Sequence, residues 1–233
     1  EGNEIAPVAD ALEDVTIICD LNAPLVLPET VNAVMTDNSK SALPVQWDFT
    51  KEMDEKMHTG GVNQYVILGR AGGMEAKCFV SMVEYNYLQD YSFEENSAAW
   101  QYTDLKKADE LYIEDKKTDS LTGSKHMHFW SAARDSVEFT LEQQARNLPG
   151  GNYAFTVSIM GGDAGETDIY AYAKVNGEIV ARAPMKITSY GNWDTAKTPS
   201  FSCKVVVGVY VKCQGSGNGA WGKIDDALLN SVK

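Results

Sequence analysis

Short runs in which apolar and polar residues alternate, broken by glycine, asparagine and proline, fill most of this chain. "DVTIICD" (14–20) reads as a strand. "LVLPETVNAVMTDNSKSALPVQWDF" (25–49) reads as strand, Asp-Asn turn, strand, and "NQYVILGRAGG" and "MEAKCFVSMVEYNYL" carry the alternation to residue 88. An acidic, aromatic break follows, "QDYSFEENSAAW". Beyond it the predicted strands lengthen: "SKHMHFWSA", "SVEFTLEQQA", "NYAFTVSIMG", "DIYAYAKVNG", "PMKITSYGNW", "FSCKVVVGVYVKC" and "AWGKIDDALLNSV". Turn signals such as "NLPGGN", "VNGE" and "GSGNGA" separate them. Only "TKEMDEKM" and "LKKADELYIED" suit short helices. Many strands at short spacing predict an all-β chain of two tandem sandwiches. The expected division is a linker over 1–14, one domain over 15–88 and a second over 89–233.

Strand parity sorts the candidate side chains. In "KHMHFWS", His126, His128 and Trp130 share one face, and Met127 and Phe129 the other, which suits a core. In "DIYAYAK", Tyr170 and Tyr172 oppose Ile169, Ala171 and Ala173. "KVVVGVYVK" reads as a hairpin with Gly208 at its tip. The pairs Cys19–Cys78 and Cys203–Cys213 are each open to two readings, a disulfide of an exported protein or buried free thiols.

The chain ends on "GNGAWGKIDDALL", with Asp225 and Asp226 adjacent in an apolar strand. Adjacent side chains on a strand point to opposite faces, so one carboxylate is expected to face inward. In a protein already at net charge −13 a cation makes that tolerable. The same negative balance excludes a nucleic-acid partner, which needs a basic stripe. No run of 18 apolar residues is present to span a membrane. The opening "EGNEIAPVADALEDV" reads as the tail of a linker rather than a secretory leader, as in a processed or excised piece. No G-x-S-x-G, H-E-x-x-H, phosphate loop or Cys-His arrangement occurs, so no enzyme class is indicated.

Leu27, Pro28, Val31, Pro44, Val45, Trp47 and Gly69, in "LVLPETVNAVMTDNSKSALPVQWD" and "YVILGR", resemble the bacterial immunoglobulin-like domain of group 4. That resemblance implies a spacer. The ordered set "YSFEE", "HFWSA", "LPGGNYAFTVSIMGGDAG", "YGNW" and "WGKIDDALL" resembles jelly-roll carbohydrate-binding modules of the galactose-binding type. More narrowly it resembles the family 61 modules attached to family 53 endo-β-1,4-galactanases. The resemblance implies a non-catalytic, extracellular or cell-surface module. It implies a polysaccharide partner, β-1,4-galactan or a galactooligosaccharide, and a structural calcium ion joining the first and last strands. The expected calcium ligands are Glu94, Asp119, Asp225 and Asp226, and the module is expected to be a monomer. For sugar, aromatic rings stack on C–H faces while acids, amides and arginine bind hydroxyls. The expected ligand-binding residues are His128, Trp130, Arg134, Asp163, Tyr172, Trp193 and Trp221. The alternatives are an adhesin fragment that binds host glycans or protein, and a glycosidase on a sandwich fold.

Overall fold

Alternating burial along each strand assembles the chain into four sheets, two in each of two compact units, residues 1–85 and 86–233. The computed structural model describes residues 6–95, 97–132, 135–202 and 205–232. The fold is all-β, with one short α-helix among the described residues, and the two units are tandem sandwiches, immunoglobulin-like and then jelly-roll-like.

The first unit contains β1 (Ala9–Leu12), β2 (Val15–Asp20), β3 (Thr30–Met35), β4 (Lys40–Pro44), β5 (Gln46–Trp47), α1 (Lys51–Thr59), β6 (Asn63–Ala71) and β7 (Met74–Val83). Its sheets run β1-β3-β4 and β2-β7-β6-β5, with β2 parallel to β7. Residues 9–12, expected in the linker, form an edge strand, because Ala9, Ala11 and Leu12 pair with β3. The turn between β3 and β4 is the expected one, with Asn38 at φ 64°. Thr50 caps α1 by accepting from Met53 N at 3.2 Å, and the helix buries Met57 against Ile67, Val80 and Met82. Trp47 packs on the same core and donates its indole N–H to Pro28 O at 2.8 Å. Gly69 makes room for it, since a Cβ there would lie 2.6 Å from the indole. Cys19 and Cys78 are free buried thiols.

Asn86 opens the second unit. Its amide donates to Ala227 O and accepts from Leu88 N and Leu229 N, which ties residues 86–88 to the final strand. The strands are β8 (Gln101–Asp104), β9 (Glu110–Asp115), β10 (Lys125–Ser131), β11 (Ser136–Gln144), β12 (Asn152–Gly162), β13 (Ala164–Val175), β14 (Glu178–Pro184), β15 (Asp194–Lys197), β16 (Phe201–Ser202), β17 (Val206–Gly215) and β18 (Ala220–Val232). One sheet runs β15-β12-β18-β10-β9, with β16 also on β12; the other runs β14-β13-β17-β11-β8. Between them lies a core that includes Met127, Phe129, Phe139, Leu141, Phe155, Ile159, Val207, Val209, Val211 and Ile224. Met127 and Phe129 thus take the core face that parity assigns them.

Three further sequence expectations differ from this fold. "LKKADELYIED" is a turn and then β9; Glu110, Tyr112 and Glu114 alternate with Leu111 and Ile113, and the strand period prevails over helix-forming composition. "PMKITSYGNW" ends β14 and is otherwise loop across 185–193. "KVVVGVYVK" is not a hairpin: Gly208 lies inside the continuous strand β17, opposite Glu142 and Tyr172. A Cβ at 208 would lie 2.5 Å from Leu141 O and 3.1 Å from the Tyr172 ring. Cys213, farther along β17, is a free buried thiol, and Cys203 lies outside the described residues.

Gly208 has no room for a methyl group. Gly208→Ala is expected to cost about 1–3 kcal/mol through overpacking against backbone. A denaturant or thermal melt of the second unit reads this directly. An unchanged midpoint would contradict the packing described.

Candidate functional site

The outer face of the β15-β12-β18-β10-β9 sheet gathers the chemistry. Cross-strand register places Glu110, Tyr112 and Glu114 of β9 beside Trp130, His128 and His126 of β10. The same register sets Trp130 beside Trp221 and His128 beside Lys223 of β18. Two loops, 116–124 and 185–193, border this face. Together they leave an open recess of about 450 Å³ lined by Lys116, Thr118, Asp119, His128, Tyr190, Trp221 and Lys223.

Two aromatic rings shape the recess. The Tyr190 and Trp221 centroids are 6.4 Å apart with their planes inclined at 41°. Tyr190 donates its hydroxyl to Thr118 O at 2.9 Å and Asp119 Oδ1 at 3.3 Å, which holds one loop to the other. Trp221 donates to Asp163 Oδ2 at 3.1 Å. Its ring lies over Gly162, where a Cβ would approach to 3.3 Å. Trp130 is half-buried and donates to Asn218 O at 3.3 Å. Tyr112 packs on His128, with centroids 5.1 Å apart.

Beneath the rings runs a network of buried charge. Lys223, almost wholly buried, donates to Glu114 and, at 2.6 Å, to His128 Nδ1. His128 Nε2 meets Glu110 at 2.6 Å, which fixes the neutral tautomer with its proton on Nε2. His126 is fully buried between Glu114 at 2.8 Å and the Ser120 hydroxyl at 2.8 Å. Burial pushes both imidazoles below the usual histidine range, and Lys223 adds to it against the pull of the glutamates. Burial also opposes ionisation of Asp119, but Lys116, Thr118 and Lys223 outweigh it and hold that carboxyl below its usual range.

The acids of the last strand sit at one end of this face. Between Thr156/Leu228 and Ser158/Asp225 the β12–β18 register slips, and Asp226 takes φ 48°. This β-bulge breaks the alternation on which the sequence argument rests. Ile224 faces the core before it, and Ala227 and Leu229 face the core after it. Asp225 is fully buried, not in the core but beneath loop 121–124. It accepts from Leu121 N at 2.8 Å, Thr122 N at 3.3 Å and Asp226 N at 2.8 Å. Asp226, half-buried, accepts from the Thr122 hydroxyl at 2.6 Å. Glu94 binds the same loop through Ser124 N and Lys125 N, each at 2.7 Å. Burial, with the like charge of Asp226, leaves the Asp225 carboxyl pushed up to about 7 despite its three backbone donors. No group of three or more metal-binding side chains converges among the described residues. Glu94, Asp225 and Asp226 offer carboxylate oxygens, the donor class that calcium takes, and these oxygens accept here from backbone N–H groups and the Thr122 hydroxyl.

Of the residues picked from sequence, His128, Trp221 and Asp119 line the recess, and Trp130 and Asp163 border it. Trp193 is half-buried on the loop that carries Tyr190. Asp119, expected as a calcium ligand, instead pairs with Lys116 at 2.8 Å and faces Tyr190 and Lys223. Tyr172, expected with the sugar site, lies on the other sheet, buried, with its hydroxyl on Glu142 and the Lys174 ammonium 4.9 Å from its ring centre. Arg134 lies outside the described residues. Sequence reasoning missed Tyr190, Lys223, Glu110, Glu114 and Lys116. Alternation in "ELYIED" and "WGKIDD" was signal enough for Glu110, Glu114 and Lys223; only the loop geometry brings Tyr190 and Lys116 in.

Because both imidazoles have folded pKa values below the unfolded one, their share of stability is present above about pH 6.5 and lost as pH falls. Asp225 acts in the opposite sense, since its raised pKa favours the folded state at acid pH and loses that effect as pH rises through about 7. His128→Gln is expected to flatten the loss of melting temperature between about pH 7 and pH 5 relative to the parent chain. Parallel melting curves for the two proteins would contradict the assignment of a neutral buried His128.

Residues 12–65 match the bacterial Ig-like domain (group 4). No curated protein sequence matches the chain. Among solved structures, TmCBM61 in complex with β-1,4-galactotriose is similar over 64% of this chain and 99% of its own, with TM-score 0.51 and 21% identity. A Clostridium thermocellum xylanase 10B fragment with CBM22-1 and GH10 modules, complexed with xylohexaose, is similar over 64% of this chain and 29% of its own, with TM-score 0.43 and 14% identity. A family 16 carbohydrate-binding module is similar over 64% of this chain and all of its own, with TM-score 0.40 and 13% identity. The chain thus contains a segment that matches the bacterial Ig-like domain (group 4) and a distinct domain whose fold is similar to that of a carbohydrate-binding module.

Proposed function

We propose that residues 86–233 are a non-catalytic module that binds β-1,4-galactan, with the Ig-like unit as its spacer. In this reading the protein works outside the cell, as a monomer, and directs an attached glycoside hydrolase to pectin side chains. The observation that carries the reading is the recess between Tyr190 and Trp221. It pairs two inclined aromatic rings with Lys116 and Asp119 at a hydroxyl-binding edge, over a floor of His128 and Lys223. A pyranose ring offers C–H faces to the first and hydroxyls to the second. The similarity to a module solved with β-1,4-galactotriose supports galactan as the ligand. The sandwich form supports binding rather than hydrolysis, and no helix of the described residues is long and apolar enough to cross a membrane.

Galactan affinity electrophoresis and calorimetry with β-1,4-galactotriose test the reading, with arabinan and cellulose as controls. Affinity in the micromolar to millimolar range, roughly −4 to −8 kcal/mol, is expected. Trp221→Ala and Tyr190→Ala are each expected to weaken it about tenfold or more, or roughly 1.4 kcal/mol. Their melting temperatures should stay close to that of the parent. Unchanged galactan binding in both variants would place the ligand elsewhere. Binding of arabinan or cellulose in its place would overturn the galactan assignment.

Calcium belongs to the same proposal. Glu94, Asp225 and Asp226 would hold the ion beside loop 121–124, and its charge would reverse the repulsion between the paired acids. An ion that binds only the folded chain stabilises it by about 2.7 kcal/mol at a hundredfold excess over Kd. Calcium is therefore expected to raise the melting temperature, and chelation to lower it. Asp226→Asn should lose most of that response without melting lower than the parent in chelator, because it keeps the acceptor for Thr122 and removes a like charge from Asp225. Identical melting with and without calcium, after stripping of any tightly held ion, would remove calcium from the proposal.

A further inference from the structure

A second polar groove lies away from the Tyr190–Trp221 recess, at an end of the other sheet. It consists of two adjoining recesses of about 550 and about 530 Å³ that share Gln89, Ala98 and Ala99. The first is lined by Tyr87, Gln101, Gln143, Gln144, Arg146 and Asn147 as well. The second adds Leu88, Asp90, Tyr91 and Glu95. All of these residues belong to the second unit.

The lining is unusual in chemical type. Five carboxamides, one guanidinium and one phenol line the first recess together with two alanines. A carboxamide presents an acceptor oxygen and a donor nitrogen side by side, and a sugar hydroxyl is both donor and acceptor. The match needs no net charge on the ligand, and a protein at −13 disfavours polyanions. Ala98 and Ala99 sit in a short 3-10 turn, where small side chains leave room for a ring. Tyr91, 48% exposed, supplies an aromatic surface in the second recess.

The groove is also braced. Gln143 is nearly fully buried, accepts from Gln89 N at 2.8 Å and donates to Gln89 O at 2.9 Å. This reciprocal bridge pins loop residue 89 to the end of β11. Parity then puts Gln144 on the opposite side of β11, exposed, on the sheet face that carries Glu142. Gln101 of β8 lies directly across from Glu142 on that face, and its amide nitrogen reaches Ala98 O at 3.4 Å. Asn147 turns the chain out of β11 with φ 57°. Gln143 is a positioning residue, while Gln89, Gln101, Gln144, Arg146 and Asn147 present exposed polar ends.

We infer that this groove is a second carbohydrate-binding site, specific for a neutral oligosaccharide and independent of the Tyr190–Trp221 recess. Two sites on one module bind a polysaccharide with avidity beyond either alone.

The test is a nitrogen-15 NMR titration of the full chain with β-1,4-galactotetraose, xylotetraose and cellotetraose in turn. With at least one sugar, amides within 87–101 and 143–147 are expected to shift and saturate at roughly millimolar concentration. The Trp221→Ala variant should keep this response. The Gln101→Ala/Arg146→Ala double variant should lose it at least about tenfold, with an unchanged melting temperature; Gln144→Ala provides a second variant if the double one melts lower. Groove amides that stay still with all three sugars would overturn the inference. So would a groove response that disappears in Trp221→Ala, since the two sites would then be one. A groove response without movement of the Trp221 indole supports the second site and counts only against the galactan reading of the first.

Discussion

The bulge at Asp226 is the constraint on which the second unit turns. β18 runs between β12 and β10, so any change in its register is felt by both neighbours. Before the bulge, Trp221, Lys223 and Asp225 face outward and Gly222 and Ile224 inward; after it, Ala227 and Leu229 face inward. Without the extra residue a carboxylate would enter the core, and isolated buried carboxylates are far too costly to keep ionised. With it, Asp226 leaves toward Thr122, and Asp225 is covered by a loop whose amides it accepts. One strained residue thus reconciles a hydrophobic strand with the polar face it must carry.

That face depends in turn on a chain of buried charges. Lys223 is shared by Glu114 and His128, Glu114 also by His126, and His128 also by Glu110. Breaking one member of such a network leaves an uncompensated charge, typically a loss of 3–5 kcal/mol, although an apolar replacement of the whole set is often neutral. The network therefore does not explain stability by itself. Its effect is geometric: it fixes the imidazole and ammonium that form the floor of the Trp221 recess. Tyr190, bonded across to Thr118 and Asp119, fixes the wall. A ligand meeting such a surface loses little affinity to side-chain ordering.

Alternation made most of the architecture legible. It assigns Met127 and Phe129 to the core and His128 and Trp130 to the outer face, because a strand with one buried face leaves no freedom of register. It failed where a local rule was overridden. Gly208 looked like a turn residue, but it is there because the Tyr172 ring and the Leu141 carbonyl leave no space for a side chain. "LKKADELYIED" has helix-forming composition, but cross-strand pairing with β10 decides its conformation. Tyr172 shows the same alternation as Trp130, and nothing local reveals that its strand belongs to the opposite sheet. Asp119 was legible as a loop acid, but its partner, Lys116, is set by a 3-10 turn that no motif announces. Four of the seven residues that line the candidate recess come from such loops, and loop conformation is the part of a fold that periodicity does not encode.

The two loops also explain why the recess and the paired acids form one system. Loop 116–124 carries Asp119 and Thr118 at the recess and, a few residues on, Leu121 and Thr122 at Asp225. Its Gly123, at φ 59°, lies against the Glu94 carboxylate, where a Cβ would come within 2.3 Å of Oε1. The carboxylates are thus the anchor of the loop that shapes the recess wall. Stabilising the anchor reduces the conformations open to Thr118 and Asp119, and through the Tyr190 hydroxyl bonds it reaches the aromatic wall. The direct effect on the recess stays small, because Lys116 and Lys223 already hold the Asp119 carboxylate from the other side. At this end of the sandwich Glu94, Asp225 and Asp226 hold a loop, and the loop in turn holds one wall of the recess.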